Sequence, residues 1–211
     1  MNATRAAFSA LVGLLSMSAG CQMIAAPFLM WGPEPTKSVP AEYPYLTDKR
    51  VAVVVWADNY TLLEYPFVRL EISEHIRESL KASVKGIKLV SNQEVIARQD
   101  RDSNWDREHP ARLGERFKAD RVMMVEVSTY STREADSPHL LRGRISANVK
   151  VYDTAYQDAA PAYKSIIDTM YPEGQNAEWT VREDTLRKET MERFATAVAN
   201  KFYDRKVKVE Q

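Results

Sequence analysis

Two carboxylates lie where an α/β protein could put them to chemical use. Asp58 directly follows the apolar run Val51–Trp56, and Glu126 sits inside a second run, Arg121–Val127. Ligands of open α/β sheets gather beyond the carboxyl ends of strands, which makes Asp58 a candidate ligand-binding residue. Asp58-Asn59 is equally a turn-forming pair. Converging in a dry site, Asp58 and Glu126 could divide the acid and base work of a hydrolysis, but Glu126 within a central strand is expected to point across the sheet. No Gly-x-Ser-x-Gly elbow supplies a nucleophile. His75, His109 and His139 fall on a helix and two loops without paired ligand spacing. Asp100-Arg-Asp102-Ser-Asn104 opens like a calcium loop, yet Trp105 replaces the glycine of its tight turn and Ala111 the bidentate glutamate. No catalytic residue, metal or cofactor is expected.

Trp105 stands among Asp102, Asp106, Arg107 and Glu108. Either its ring anchors the loop by folding back onto the domain, or it is an exposed contact of the kind enriched at interface hot spots. Trp105, Asp102, Asp106 and Arg107 are the candidate partner-binding set. Trp179 and the charged face of the last helix are further candidates, with a plain solvated face as the alternative.

Cys21 is the one cysteine of the chain. Ahead of it come Arg5, the apolar stretch Ala6–Leu15, and Ser16-Met-Ser18-Ala19-Gly20. A basic start, a short apolar core and small residues before a cut form a secretory signal. Small residues followed by cysteine resemble the lipobox cut by signal peptidase II, after which the thiol is acylated; Ser18 stands where that motif carries leucine. Lipidation of Cys21, with palmitate or a similar chain, is the favoured reading. An uncleaved span is the alternative, because no charge occurs from Ala6 to Pro33 and about 20 apolar residues cross a bilayer. A free secreted form is the third. Lipidation and the span agree that the domain faces the periplasm or exterior, tied to an inner or outer membrane.

The 29 basic and 29 acidic residues balance, and loss of Arg5 with the signal leaves a net charge of −1. A nucleic-acid partner would need a basic face. One cysteine allows no internal disulfide, so stability must come from packing. Glycines beyond the signal are too scattered to cradle a phosphate.

These residues need elements to hold them. Residues 21–48 read as a tether, first apolar (Met23–Trp31), then stiffened by Pro33, Pro35 and Pro40. Trp31 suits a bilayer interface, or the segment packs onto the domain. From Lys49 the chain reads as one domain. Val51–Trp56 is a strand buried on both faces. Val68, Ile72, Ile76, Leu80 and Val84 make one helical stripe, stopped at Gly86. Ile87–Val90 is a short strand. Ser91-Asn-Gln-Glu94 has capping-box spacing before a short helix, and Leu113 with Phe117 marks another over residues 111–118. Arg121–Val127 is a central strand. Ile145, Ala147, Val149 and Val151 alternate with polar residues, and Tyr163–Met170 is their hairpin partner. Ser131–Leu140 and Thr154–Pro161 are expected as loops. Met191, Phe194, Ala195, Val198 and Phe202 form the buried face of a last helix. The order β-α-β-α-α-β-β-β-α favours parallel pairing first and hairpins last, in a mixed sheet of about five strands packed with helices.

Three stretches carry a resemblance: Arg50-Val-Ala-Val-Val-Val, Leu113-Gly114-Glu-Arg-Phe-Lys-Ala119-Asp120-Arg-Val-Met-Met-Val-Glu-Val127, and Val149-Lys-Val-Tyr-Asp153. Over residues 49–203 the chain resembles the envelope lipoprotein domain of the curli-export (CsgG) and penicillin-binding-protein activator (LpoB) type, similar in fold to the amino-terminal domain of TolB. It departs after Asp153, where that family has threonine-glycine and this chain has Thr154-Ala155. Pore-forming members add long hairpins, for which no alternating segment is left over here. The resemblance implies a binding or assembly module of the cell envelope.

The expectation is a lipoprotein signal over residues 1–20, a tether over 21–48 and a single α/β domain over 49–211. It is tied to a membrane lipid through Cys21 and acts without catalysis through an envelope protein partner; self-association stays open. A small-molecule or glycan-binding module, which would need a concave aromatic-lined pocket, is the alternative, and an envelope hydrolase the third.

Overall fold

The computed structural model describes residues 36–134, 136–173 and 182–208. The chain divides into a main unit, Val39–Arg205, and a small unit of the two chain ends, Met1–Ser38 with Lys206–Gln211. β1 (Thr36–Val39) and β7 (Arg205–Lys208) pair in a two-stranded sheet. The rest builds one mixed α/β sheet of five strands, in the order β3 (Lys88–Leu89), β2 (Arg50–Trp56), β4 (Arg121–Glu134), β5 (Ser137–Asp153), β6 (Tyr163–Tyr171).

β2 (Arg50–Trp56) lies parallel between β3 (Lys88–Leu89) and β4 (Arg121–Glu134). β5 (Ser137–Asp153) and β6 (Tyr163–Tyr171) follow as antiparallel hairpins. The β-branched run of β2 is buried from Val51 to Val55 because helices lie on both sides of it. On one side, α2 (Val68–Ser83) presents Val68, Ile72, Ile76 and Leu80 to Val51, Val53 and Val55. Beside it α5 (Glu183–Ala199) seats Met191, Phe194, Ala195 and Val198 over the inward residues of β5. On the other side the cover is shorter: α3 (Asn92–Arg101), a 3-10 turn (Trp105–Arg107) and α4 (Pro110–Arg116). Their Val95, Trp105 and Leu113 pack on Ala52, Val54, Val122 and Met124. Gly114 lets α4 approach this closely, since a Cβ there would strike Val122 and Thr154.

Several boundaries differ from the sequence reading. The packed chain starts before Lys49: Tyr43 and Leu46 are buried, and Tyr43 rings with Phe202 and Tyr163. Residues 131–134 and 137–140 are strand, on the two arms of one long hairpin, rather than loop. Register shifts after Val127, Ser131 and Arg133 break the alternation that would have marked it. This distal hairpin packs against α5, where the Thr132 hydroxyl donates to Glu183 at 3.0 Å. A short helix absent from the sequence reading, α1 (Asn59–Glu64), precedes α2. Helix α2 ends at Ser83 with an extended Val84, and Gly86 (φ +67°) shapes the turn into β3 instead of capping the helix. Ser91 holds the N-cap position of α3 without a capping hydrogen bond; Asn92 bonds Glu74 instead.

Candidate functional site

The carboxyl end of β2 gathers most of the chemistry, and it does so in two separate places. The first is a cleft of about 340 Å³ on the side covered by the short helices, lined by Trp56, Trp105, Asp106, Met124 and Glu126. Trp56 and Glu126 come together because they are register partners on β2 and β4. Trp105 closes one wall from the 3-10 turn. It folds back onto the domain and is only 7% exposed, so its ring is not offered as an exposed contact. Asp106 and Arg107 beside it are exposed. Asp102 is half-buried, accepting from Arg98 at 2.9 Å and from the Asn104 amide at 3.1 Å.

Glu126 does point across the sheet. Lys150 Nζ on β5 holds both its oxygens, at 2.6 and 2.7 Å. Desolvation beside this pair pushes the Tyr152 hydroxyl above its ordinary pKa. Asp58 is occupied elsewhere, as the N-cap of α1: its carboxylate accepts from the Thr61 amide at 2.8 Å and faces the Thr61 hydroxyl at 3.3 Å. The two carboxylates therefore have separate partners. One closes a helix end, and the other neutralises a lysine.

The charges of the calcium-like stretch are likewise taken up by arginines, Asp100 by Arg69 at 2.8 Å and Asp102 by Arg98. Among the described residues no three His, Cys, Asp or Glu side chains converge as a metal site would need. His109 caps α4, its Nδ1 accepting from the Ala111 amide at 3.3 Å, and packs edge-on against Tyr152. His139 is exposed on β5 rather than in a loop. His75 is half-buried beside the apolar stripe of α2.

The second place is the surface of α1 and the start of α2. Tyr60 (76% exposed), Leu63 (83%), Phe67 (68%) and Leu70 (39%) stand out of it together. The sequence reading passed over these four. Their signal was spacing: they stand three, four and three residues apart, Tyr60 and Leu63 on α1, Phe67 at the N-cap of α2, and Leu70 on α2 off its Val68–Ile72 stripe. Tyr65 between them turns inward, its ring 4.6 Å from Tyr130 and its hydroxyl 3.2 Å from Thr132. Burial raises the pKa of both tyrosines. Arg187 of α5 adds a 2.5 Å ion pair with Glu71, fixing the base of this surface.

Cys21, Met23–Trp31 and Trp179 lie outside the described residues. Among the described residues no helix is long and apolar enough to cross a membrane.

No known protein-family profile matches the chain, and no curated protein does. Solved structures are similar in fold. Bacterial lipoproteins are among them. The lipoprotein GNA1162 from Neisseria meningitidis is 13% identical, over 61% of this chain and 87% of that one, with a TM-score of 0.37. A minor lipoprotein from Acinetobacter baumannii is 13% identical over 74% and 92%, with a TM-score of 0.36. The PelC dodecamer from Paraburkholderia phytofirmans is 7% identical over 79% and 98%, with a TM-score of 0.48. The resemblance to the curli-export type of domain rests on the three stretches of residues quoted for it.

Proposed function

We propose that this chain is an envelope lipoprotein, held to a membrane by acylated Cys21, that acts without catalysis by binding another envelope protein through the Tyr60–Leu63–Phe67–Leu70 surface. The observation that carries the reading is that surface itself. Four large apolar side chains exposed within eleven residues of chain are uncommon on a protein that works alone, because each leaves area in water that association would remove. The surface follows the carboxyl end of β2. The incoming chain packs at the opposite end of the sheet, where the Tyr43 amide donates to the Lys201 carbonyl at 3.0 Å. Among the described residues, the carboxylates of Asp58 and Glu64 beside this surface are exposed and have no ion pair, which suits an apolar partner segment flanked by lysine or arginine.

A photo-crosslinking side chain at position 63 of the full chain, in cells, tests this. The expected result is one defined envelope protein captured from position 63 and not from the exposed Tyr156, with capture lost in Phe67→Asp. Crosslinking to lipid alone, or equally from both positions, overturns it. The anchor is tested separately: Cys21→Ser should move the protein out of the membrane fraction or leave an uncleaved precursor. An intact Met1 on mature membrane-bound protein overturns lipidation.

A further inference from the structure

We propose that the cleft between Trp56 and Trp105 is a binding site for a neutral sugar ring, distinct from the apolar surface of α1. Three observations carry this. Its volume, about 340 Å³, falls in the range of small-ligand pockets, and it lies at the carboxyl end of β2, where open α/β sheets place ligands. Its hydrogen-bonding capacity is unspent: among the described residues neither indole N–H has an acceptor, and Asp106 has no donor and no ion pair. Neither indole N–H is among the buried unpartnered polar atoms of the described residues, so both are open to solvent and within reach of an acceptor brought by a ligand. Finally, the charge of the floor is cancelled, since Lys150 grips both oxygens of Glu126.

These features select among ligand chemistries. A bare organic cation would gain the rings and Asp106 but would find Glu126 already paired with Lys150 and offer no acceptor to the indoles. A bare anion would meet the unpaired carboxylate of Asp106. A sugar ring has hydroxyls that accept from the indole N–H groups and donate to the Asp106 carboxylate. Its C–H face lies on aromatic or thioether surface, which Trp56 and Met124 provide. Trp56 and Asp106 are the residues assigned to recognition, and Trp105 to the wall.

The test uses the full chain in a sugar-free detergent, applied to a printed array of neutral oligosaccharides built from glucose, galactose, mannose and N-acetylglucosamine. The best of these is then titrated by calorimetry. Saturable binding is expected, weakened at least about tenfold in Trp56→Phe, which keeps the ring and removes the N–H, and in Asp106→Asn. Thermal melts of both variants establish that they fold. Leu63→Asp should bind sugar as the unaltered chain does, so the site stands or falls apart from the protein-partner reading. The proposal is overturned if no neutral oligosaccharide binds, or if both cleft variants bind unchanged. It is also overturned if tetramethylammonium or sulfate competes as strongly as a second sugar, or if Leu63→Asp removes binding.

Discussion

The two faces of the central sheet are built differently. On one, α2 and α5 lay long apolar stripes over β2, β4 and β5, and the enclosed residues from Val53 to Phe194 are sealed from water. On the other, three short pieces cover Ala52, Val54, Val122 and Met124 and then stop. Beyond that edge Ser146, Asn148 and Lys150 of β5 are only half-buried, and Ile166 of β6 stands exposed. Both faces hold the sheet together, and the incompletely covered one carries the cleft lined by Trp56 of β2 and Met124 and Glu126 of β4. Long amphipathic helices make stability. The place where cover runs out makes room for a ligand.

Substitutions on each face should separate these roles. The largest effect is expected at Val53, in the sealed face: Val53→Asp places an unpaired charge among apolar side chains and should cost about 4 kcal/mol or more. With a whole stability of about 5–15 kcal/mol for a domain, most of the cooperative melt should disappear. A soluble Val53→Asp protein with an unchanged melting temperature would show that face to be less sealed than its packing implies.

Trp105→Ala comes next. Because Trp105 is part of the second cluster, the variant should lose about 3 kcal/mol. It therefore damages the fold as well as the cleft, and Asp106→Asn is the cleaner probe of the site. A loss under about 1 kcal/mol by denaturant titration would mean the indole adds little to this face.

A smaller effect is expected where the entering chain meets β6. Tyr163 donates to Glu42 at 2.7 Å, and Lys201 bonds the other Glu42 oxygen at 2.6 Å. The bond from Lys201, then that from Tyr163, holds Glu42 below its ordinary 4.5. Stability from this group is present above that value and lost as pH falls through the lowered one. Burial, then the bond to Glu42, pushes Tyr163 from 10.0 up to about 12. Its contribution is complete below pH 10 and is lost as pH rises toward 12. Tyr163→Phe should cost about 1 kcal/mol at neutral pH and flatten the alkaline fall in melting temperature. An unaltered alkaline limb would assign that fall to other groups.

Much of this comparison was legible in the sequence, and the illegible parts have physical causes. The period-four stripe of α2 and the unbroken run of β2 each report one element's burial, so both were found from spacing alone. Alternation located the inner half of β5, where register is regular, and failed beyond Val127, where bulges change which residues share a face. Trp56 and Glu126 are 70 positions apart, and only the parallel pairing of β2 with β4 brings them together. The spacing of Tyr60, Leu63, Phe67 and Leu70 was present in the sequence. Its meaning depended on Tyr65 turning inward while its neighbours turn out, which only tertiary contacts decide.

The smallest effect is expected at Asp58, and it sharpens the comparison by being small. Asp58 ends the approach to both candidate surfaces, following Trp56 of the cleft and preceding Tyr60 of the apolar patch. Its carboxylate serves as an N-cap through one oxygen, on the Thr61 amide. Asparagine caps a helix about as well as aspartate, so Asp58→Asn should change stability by less than about 0.5 kcal/mol, whereas Asp58→Ala should cost about 1 kcal/mol. Crosslinking from position 63 should be the same in Asp58→Asn as in the unaltered chain, because the substitution keeps the cap that orients α1. Glu126→Gln should behave similarly, losing only a partly exposed ion pair worth up to about 1 kcal/mol. If either carboxamide variant melted normally yet lost all cellular function, the ionisable group itself would be at work, and a hydrolytic reading would replace the binding one.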